Sequence, residues 1–375
     1  HRFDNSDSDS IGAHITFLFA PSGPPETSGY PAAYVNRSAA PTSSDYDWAL
    51  RAYGVLMTHA QGNGGAAAAS DCGLLRNVLC VGSYNYNTYN SISTHQISSF
   101  SSTGNPSVLT SLERPHLLGP GSHTEGSGLH VPSIGAAIGS STMLWIEHWL
   151  PSSAASVRGT SFAAPAVLGV AIQAHQYEGL LSALAFPVVT KAVILASTVD
   201  IQSATSGVYD GKIGSSNTWF PQPSDAADGG GQINSNYTKQ ILDNNYYAYS
   251  DVVNSQFVSC GANCREYVVA SVAVPAGQSL RVALAFSSCT SMGNNPTIAN
   301  DFDLVVTAPG NLFDPCTKFI SSASVNSEVE MVETNSCLAA KTHTIRLRIK
   351  NGAQLTACPG FTTERVGVAW SRRAV

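Results

Sequence analysis

The stretch RGTSFAAPAVLGVAIQA, Arg158 to Ala174, carries most of the information in this chain. Gly-Thr-Ser stands directly before small residues, a proline and an apolar run with helical spacing. The pattern predicts a helix opening at Ser161. Two readings of its hydroxyls compete. Thr160 or Ser161 is an N-cap that satisfies a free first-turn N–H. Alternatively, Ser161 is a nucleophile at a helix N-terminus, where the dipole and free amides favour developing negative charge. The rest of the chain separates them.

The chain has 375 residues, of which 12% are charged and 43% hydrophobic, a compact composition large enough for two domains. Its net charge of −6, with Arg372-Arg373 as the one small basic cluster, argues against a nucleic-acid or anionic-membrane partner. Gly, Pro, Ser and Thr interrupt every apolar run before it reaches membrane-spanning length. No signal-peptide pattern stands at His1, which reads as a mature or processed chain. The cysteines are Cys72, Cys80, Cys260, Cys264, Cys289, Cys316, Cys337 and Cys358. Without a Cys-x-x-Cys pair or a nearby His cluster, they read as disulfides of an oxidising compartment rather than zinc ligands. Cys72–Cys80 and Cys260–Cys264 are expected as local bridges. The last four are expected to pair among themselves, with three connectivities open. Sequons at Asn36 and Asn236 fit a secreted protein; Asn236 is the better glycosylation candidate, because Asn36 follows what reads as a buried strand.

Residues 13–20, 32–40, 55–60 and 77–84 read as strands, and 43–54, 161–176 and 186–197 as helices. Strand-helix alternation with continuous apolar strands predicts an α/β fold, a parallel sheet with helices on both faces. The segment 206–235 is rich in Gly, Ser, Pro and Asp and reads as irregular. Beyond about residue 255 the segments alternate and are broken by Gly, Pro and Asn, as in an antiparallel β-sandwich. The expected domains are 1–250 and 255–375.

The order of motifs adds a family. THAQGNGG, NVLCVGSYN, ISSFSSTGNP, LERPHLLGPGS and RGTSFAAPAV follow one another along the chain. This series resembles the subtilisin-like serine proteases, the subtilases, whose segments read A-A-G-N, V-x-V-G-A, F-S-S-x-G-P, K-P-D-x-x-A-P-G and G-T-S-M-A-x-P. VPAGQSLRVALAF, NDFDLVVTAPGN, SVNSEVEMVE and VGVAWS resemble the jelly-roll domain that follows some subtilases. The resemblance implies a serine endopeptidase acting on polypeptide, with Ser161 as nucleophile and Asn63 as oxyanion-hole donor. It implies that Ser38, Ala39 and Ala40 pair with extended substrate, with Ala40 where Gly is usual. Ala60 to Gly62 would line the pocket for the residue preceding the cleaved bond.

The sequence also departs from the family. No Asp-Ser/Thr-Gly motif and no His-Gly-Thr-His motif occurs in it, so Ser161 has no visible general base. His14 and His59 read as strand residues, and Asp4, Asp7 and Asp9 as a solvated tail. His116 stands where Asp is usual and Gly119 where Ala is usual. The family's Asp-bearing strand lies between those resembled by 13–20 and 32–36, so a chain starting at His1 is expected to lack it. A complementary N-terminal fragment or a neighbouring subunit is then expected to fill the gap, because unpaired core backbone costs about 1–3 kcal/mol per group. These residues alone are expected to be inactive. The alternative is a catalytically inactive subtilase-like assembly subunit, and a third reading is a lectin-like binding module in the sandwich. Catalysis would need no cofactor. Asp301 and Asp303 either hold a structural calcium or solvate a strand entry.

Overall fold

The computed structural model describes residues 33–37, 45–52, 54–65, 70–72, 75–86, 95–102, 114–123, 132–134, 147–149, 158–178, 187–199, 201, 229–261, 264–287, 300–309, 316, 320–322, 328–350, 355 and 363–374. The expected strand at 13–20, the substrate-pairing residues Ser38, Ala39 and Ala40, the segment 206–228, His14, Cys289 and Cys358 lie outside them, as does the acidic run of Asp4, Asp7 and Asp9.

The first sheet contains β1 (Ala33–Arg37), β2 (Val55–Ala60), β3 (Val78–Tyr86), β4 (Gln96–Ile97) and β5 (Leu117–His123). β1, β2, β3 and β5 run parallel in the order β1-β2-β3-β5. The two-residue β4 pairs antiparallel with Tyr84 and Asn85, so the sheet is mixed rather than wholly parallel. Period-2 alternation splits β2 between two apolar clusters, as a strand buried on both faces requires. Leu56 and Ala60 join α2 (Thr160–Glu178) and α3 (Pro187–Ala196), while Val55 and Met57 meet Leu50 of α1 (Asp45–Ala52). Helices therefore cover both faces. Asn36 is exposed rather than buried, because β1 has a described neighbour on one side only; its Oδ1 accepts from Thr58 Oγ1 at 3.1 Å. Among the described residues no helix is long and apolar enough to cross a membrane.

Pro132–Ile134 (β6) and Glu147–Trp149 (β7) form a separate two-stranded ribbon. The short helix α4 (Ser235–Asp243), capped by Asn234 Oδ1, follows and leads into the second half.

That half holds two antiparallel sheets. One has the order β14 (Val329–Glu333), β11 (Gln278–Phe286), β16 (Glu364–Ala374), β8 (Tyr247–Val252). The other has the order β13 (Ile320–Ser322), β12 (Phe302–Thr307), β15 (Lys341–Lys350), β10 (Cys264–Val274), β9 (Val258–Gly261). Their inner faces share one core containing Leu280, Val282, Leu284, Phe302, Leu304 and Leu347. The outer face of the first sheet lies on α3, with Ala283, Ala285, Met331 and Ala369 in the same cluster as Val189 and Val193. Gly367 permits this contact, since a Cβ there would come within 2.5 Å of the Val188 carbonyl.

Cys72–Cys80, Cys260–Cys264 and Cys316–Cys337 are disulfide-bonded. The first two are the expected local bridges; the third selects among the connectivities open for the last four cysteines.

Buried charges tie the two halves together. Arg51 donates to Glu364 Oε2 at 2.9 Å and to the Ser287 carbonyl at 2.6 Å. Arg281 donates to the carbonyls of Thr198 at 3.0 Å and Gly230 at 2.7 Å, and to Glu333 at 2.7 Å. Arg373 reaches the Ala196 and Thr198 carbonyls. Both guanidinium groups sit at the C-terminal end of α3, where orphan carbonyls and the helix dipole favour positive charge.

The third tie is the most heavily charged. Glu328 Oε1 accepts from Lys191 Nζ at 3.1 Å, Arg114 Nη2 at 3.2 Å and His116 Nε2 at 3.0 Å. Burial alone raises the Glu328 pKa, but Arg114 and Lys191 outweigh it and hold the carboxyl well below the usual range. Burial, helped by Arg114 and Lys191, pushes His116 well below its ordinary value. His116 Nδ1 accepts from the Cys80 amide at 2.9 Å, which places the single proton of the neutral ring on Nε2. The carboxylate that meets His116 therefore comes from the second half of the chain.

Candidate active site

The site lies at the C-terminal ends of the parallel strands, where open α/β sheets leave a crevice. β2 runs out at Ala60 into a loop whose base is held by the β2–β3 pairing and by Cys72–Cys80. Gly62 has φ +111°, and its N–H donates to Thr160 Oγ1 at 3.2 Å. Only glycine suits this position, since a Cβ would come 2.7 Å from Asp71 Oδ2 and 2.9 Å from Ser102 Oγ. The loop at 98–102 straps onto it. Gly64 N–H donates to Ser102 Oγ at 3.0 Å, Ser102 N–H to the Gly62 carbonyl at 3.0 Å and Gly65 N–H to the Phe100 carbonyl at 2.8 Å.

α2 is brought to this loop by β5. Gly119 lets the helix approach, because a Cβ would fall 2.6 Å from the Ala163 carbonyl. Gly121 accepts the Gly159 N–H at 3.0 Å through its carbonyl. The N-cap is neither Thr160 nor Ser161. Gly159 fills that place, its carbonyl accepting from Phe162 N–H at 3.0 Å. The missing cap side chain is supplied across the fold, where Asn63 Oδ1 accepts the Thr160 N–H at 2.8 Å and its hydroxyl at 3.1 Å. Pro165, inside the helix, has no N–H to offer the Ser161 carbonyl.

The bond from a backbone N–H identifies the Asn63 oxygen, so Nδ2 is the atom left over. Among the described residues Nδ2, the Ser161 N–H and the Ser161 hydroxyl have no hydrogen-bond partner. A methyl group on Gly159 would sit 3.3 Å from Asn63 Nδ2 and 3.7 Å from Ser161 N, so both donors border one empty point. Two unused N–H donors bordering one point, one of them on the residue that carries the unengaged hydroxyl, can hold a developing oxyanion. Arg158 is exposed at the mouth, its guanidinium 5.7 Å from the Phe100 ring.

His59, His95 and His343 make their contacts elsewhere. His59 is buried in β2 with Nδ1 2.8 Å from the Ala60 carbonyl; His95 stacks on Tyr84 and contacts Gln232; His343 contacts the Cys316 carbonyl. Asp301 and Asp303 flank Phe302. Asp303 is buried and stands in register with Arg348, which pairs with Glu266 on the next strand. Calcium takes six to eight oxygens, and these two carboxylates would supply only part of such a set. The site residues that sequence reasoning missed are Gly159 as cap, Thr160 as the link to Gly62, and Glu328 as partner of His116. The last stands 214 positions from Arg114, and no local pattern carries that signal.

The subtilase family profile matches residues 8–214, more than half of the chain, and the chain belongs to that family. No curated protein matches the sequence. Similar solved structures include the protease domain of PatA in mutant form, at 19% identity, with 56% of this chain and 56% of that chain covered and a TM-score of 0.33. A psychrophilic protease is 21% identical over 61% of this chain and 65% of its own, with a TM-score of 0.38. The prenylagaramide maturation protease PagA is 17% identical over 64% and 70%, with a TM-score of 0.33. The chain thus spans little more than half the length of the PatA domain.

Proposed function

We propose that this subtilase is a secreted serine endopeptidase in which Ser161 Oγ attacks the peptide carbonyl. Asn63 Nδ2 and the Ser161 N–H receive the oxyanion. The observation that carries the reading is the pair of unused donors bordering one empty point at the start of α2. A hydroxyl needs an adjacent base to attack, and neither family motif for the triad Asp and His is in the sequence. In this reading a polypeptide other than residues 1–375 supplies both, as a complementary fragment or a neighbouring subunit, and fills the place beside β1. Ser38, Ala39 and Ala40 pair with the substrate strand, and Ala60 and Gly62 line the pocket preceding the cleaved bond. The two antiparallel sheets act as a jelly-roll domain. Disulfides and an exposed Asn236 sequon support secretion and glycosylation.

The second reading, an inactive subtilase-like assembly subunit, draws on the same missing base. Fluorophosphonate labelling read by mass spectrometry separates the two. The chain alone is expected to stay unlabelled, and adding a polypeptide with both triad motifs should produce labelling at Ser161. If such a polypeptide never restores labelling, while a neighbouring copy or a motif-free fragment raises the melting temperature, the assembly reading stands. Strong labelling of the lone chain would assign the base to one of its ten histidines.

A further inference from the structure

We infer that Asp71 selects a cationic side chain, lysine or arginine, at the residue immediately before the cleaved bond. The inference rests on the active-site reading above. Asp71 is exposed, and among the described residues its carboxylate makes no hydrogen bond or ion pair. Its place is nevertheless well defined. The Asp71 N–H donates to the Gln61 carbonyl at 2.8 Å, and the neighbouring Cys72 is locked to Cys80. Oδ2 lies 2.7 Å from the point where a Cβ of Gly62 would be, with Ser102 Oγ 2.9 Å from the same point. The carboxylate therefore covers Gly62, the residue just before the oxyanion donor Asn63. Successive Cα atoms are about 3.8 Å apart, so the charge stands within about 8 Å of the Asn63 Cα. A lysine or arginine side chain, whose charge sits several bonds beyond its Cα, covers a separation of that order.

An apolar side chain entering here would strip water from the carboxylate with nothing returned. An ammonium or guanidinium would exchange that water for a charge-assisted hydrogen bond. The other charge at the mouth, Arg158, lies over the Phe100 ring.

Binding tests this without turnover. Fluorescein-labelled tetrapeptides ending in Arg, Lys, Leu or Glu with a free carboxylate mimic the acyl-side product and need no catalytic base. Fluorescence polarisation on the full chain should show Arg and Lys peptides binding about tenfold tighter than Leu, with Glu weakest. The preference should shrink between low and high salt. Asp71→Asn should bring Arg and Leu within about twofold of each other at an unchanged melting temperature, because the side chain holds nothing in the fold. Asn63→Ala should weaken all four peptides alike. Equal binding of Arg and Leu by the wild type, with Asn63→Ala still weakening both, overturns the charge selection and leaves the site standing. An Arg preference that survives Asp71→Asn overturns it too. Unchanged binding in Asn63→Ala, or no binding by the wild type, removes the site and this inference with it.

Discussion

Replacing Glu328 by glutamine tests whether the second half of the chain is a structural part of the protease fold. Its carboxylate is fully buried and lies within 3.0–3.2 Å of three positively charged or donating groups, of which Arg114 and Lys191 are themselves almost inaccessible. E328Q keeps the shape and removes the acid that these three groups share. Breaking a buried pair by removing one partner costs about 3–5 kcal/mol, mostly the desolvation of the charge left behind. For a chain of this length about 2 °C per kcal/mol applies, so the melting temperature should fall by about 6–10 °C. Lys191 can relieve part of the loss. Burial has already lowered its pKa to about 8, and without Glu328 it will shed its proton more readily. The deficit should therefore be smaller at pH 9 than at pH 7. Adding Lys191→Met to E328Q should recover stability at pH 7, which a double-mutant cycle by calorimetry will read. A melting temperature within about 1 °C of wild type for E328Q would refute the reasoning, because Arg114 and Lys191 would then be balanced by something other than this carboxylate.

Gly159→Ala should strain a residue held at φ +157° and place a methyl at the point shared by Asn63 Nδ2 and Ser161 N, so product-peptide binding, read by polarisation, should be lost together with some thermal stability. Asp47 is pushed up to about 6 by burial, against the pull of the Arg76 and Asn77 amides. A raised carboxyl pKa means that the folded state holds the proton between about 4 and 6, so this group's contribution to stability falls as pH rises through that window. Glu328 works the other way, its depressed pKa giving stability above about 4.3 that is lost as the pH drops further. Asp47→Asn should flatten the upper slope in denaturant titrations and leave the acid limb. Removing the Cys72–Cys80 bridge should cost about 2–4 kcal/mol and loosen the Asn63 loop, seen as faster amide exchange at 61–65 than in β2. If Asp301 and Asp303 hold a structural calcium, chelation should lower the melting temperature by several degrees and added calcium should restore it; an unchanged melting temperature removes the metal.

Periodicity and small-residue signals act locally, and they were legible. VLMTHA reads as the buried strand Val55–Ala60 because apolar residues fill both faces, and Arg158 to Ala174 reads as a helix start because glycine, hydroxyls and alanines can sit nowhere more cheaply. The order of motifs carried the subtilase family, and cysteine spacing carried two bridges. What needed the tertiary structure were contacts between residues far apart in sequence. The cap of α2 comes from Asn63, 97 positions away, so no inspection of Gly-Thr-Ser could choose between its hydroxyls. The partner of His116, Glu328, lies far along the chain, and Asp71 comes over Gly62 only in the fold. Hydrophobic pattern specifies which face of an element is buried; which charge or donor waits on the other side of that face is decided only when the chain closes on itself.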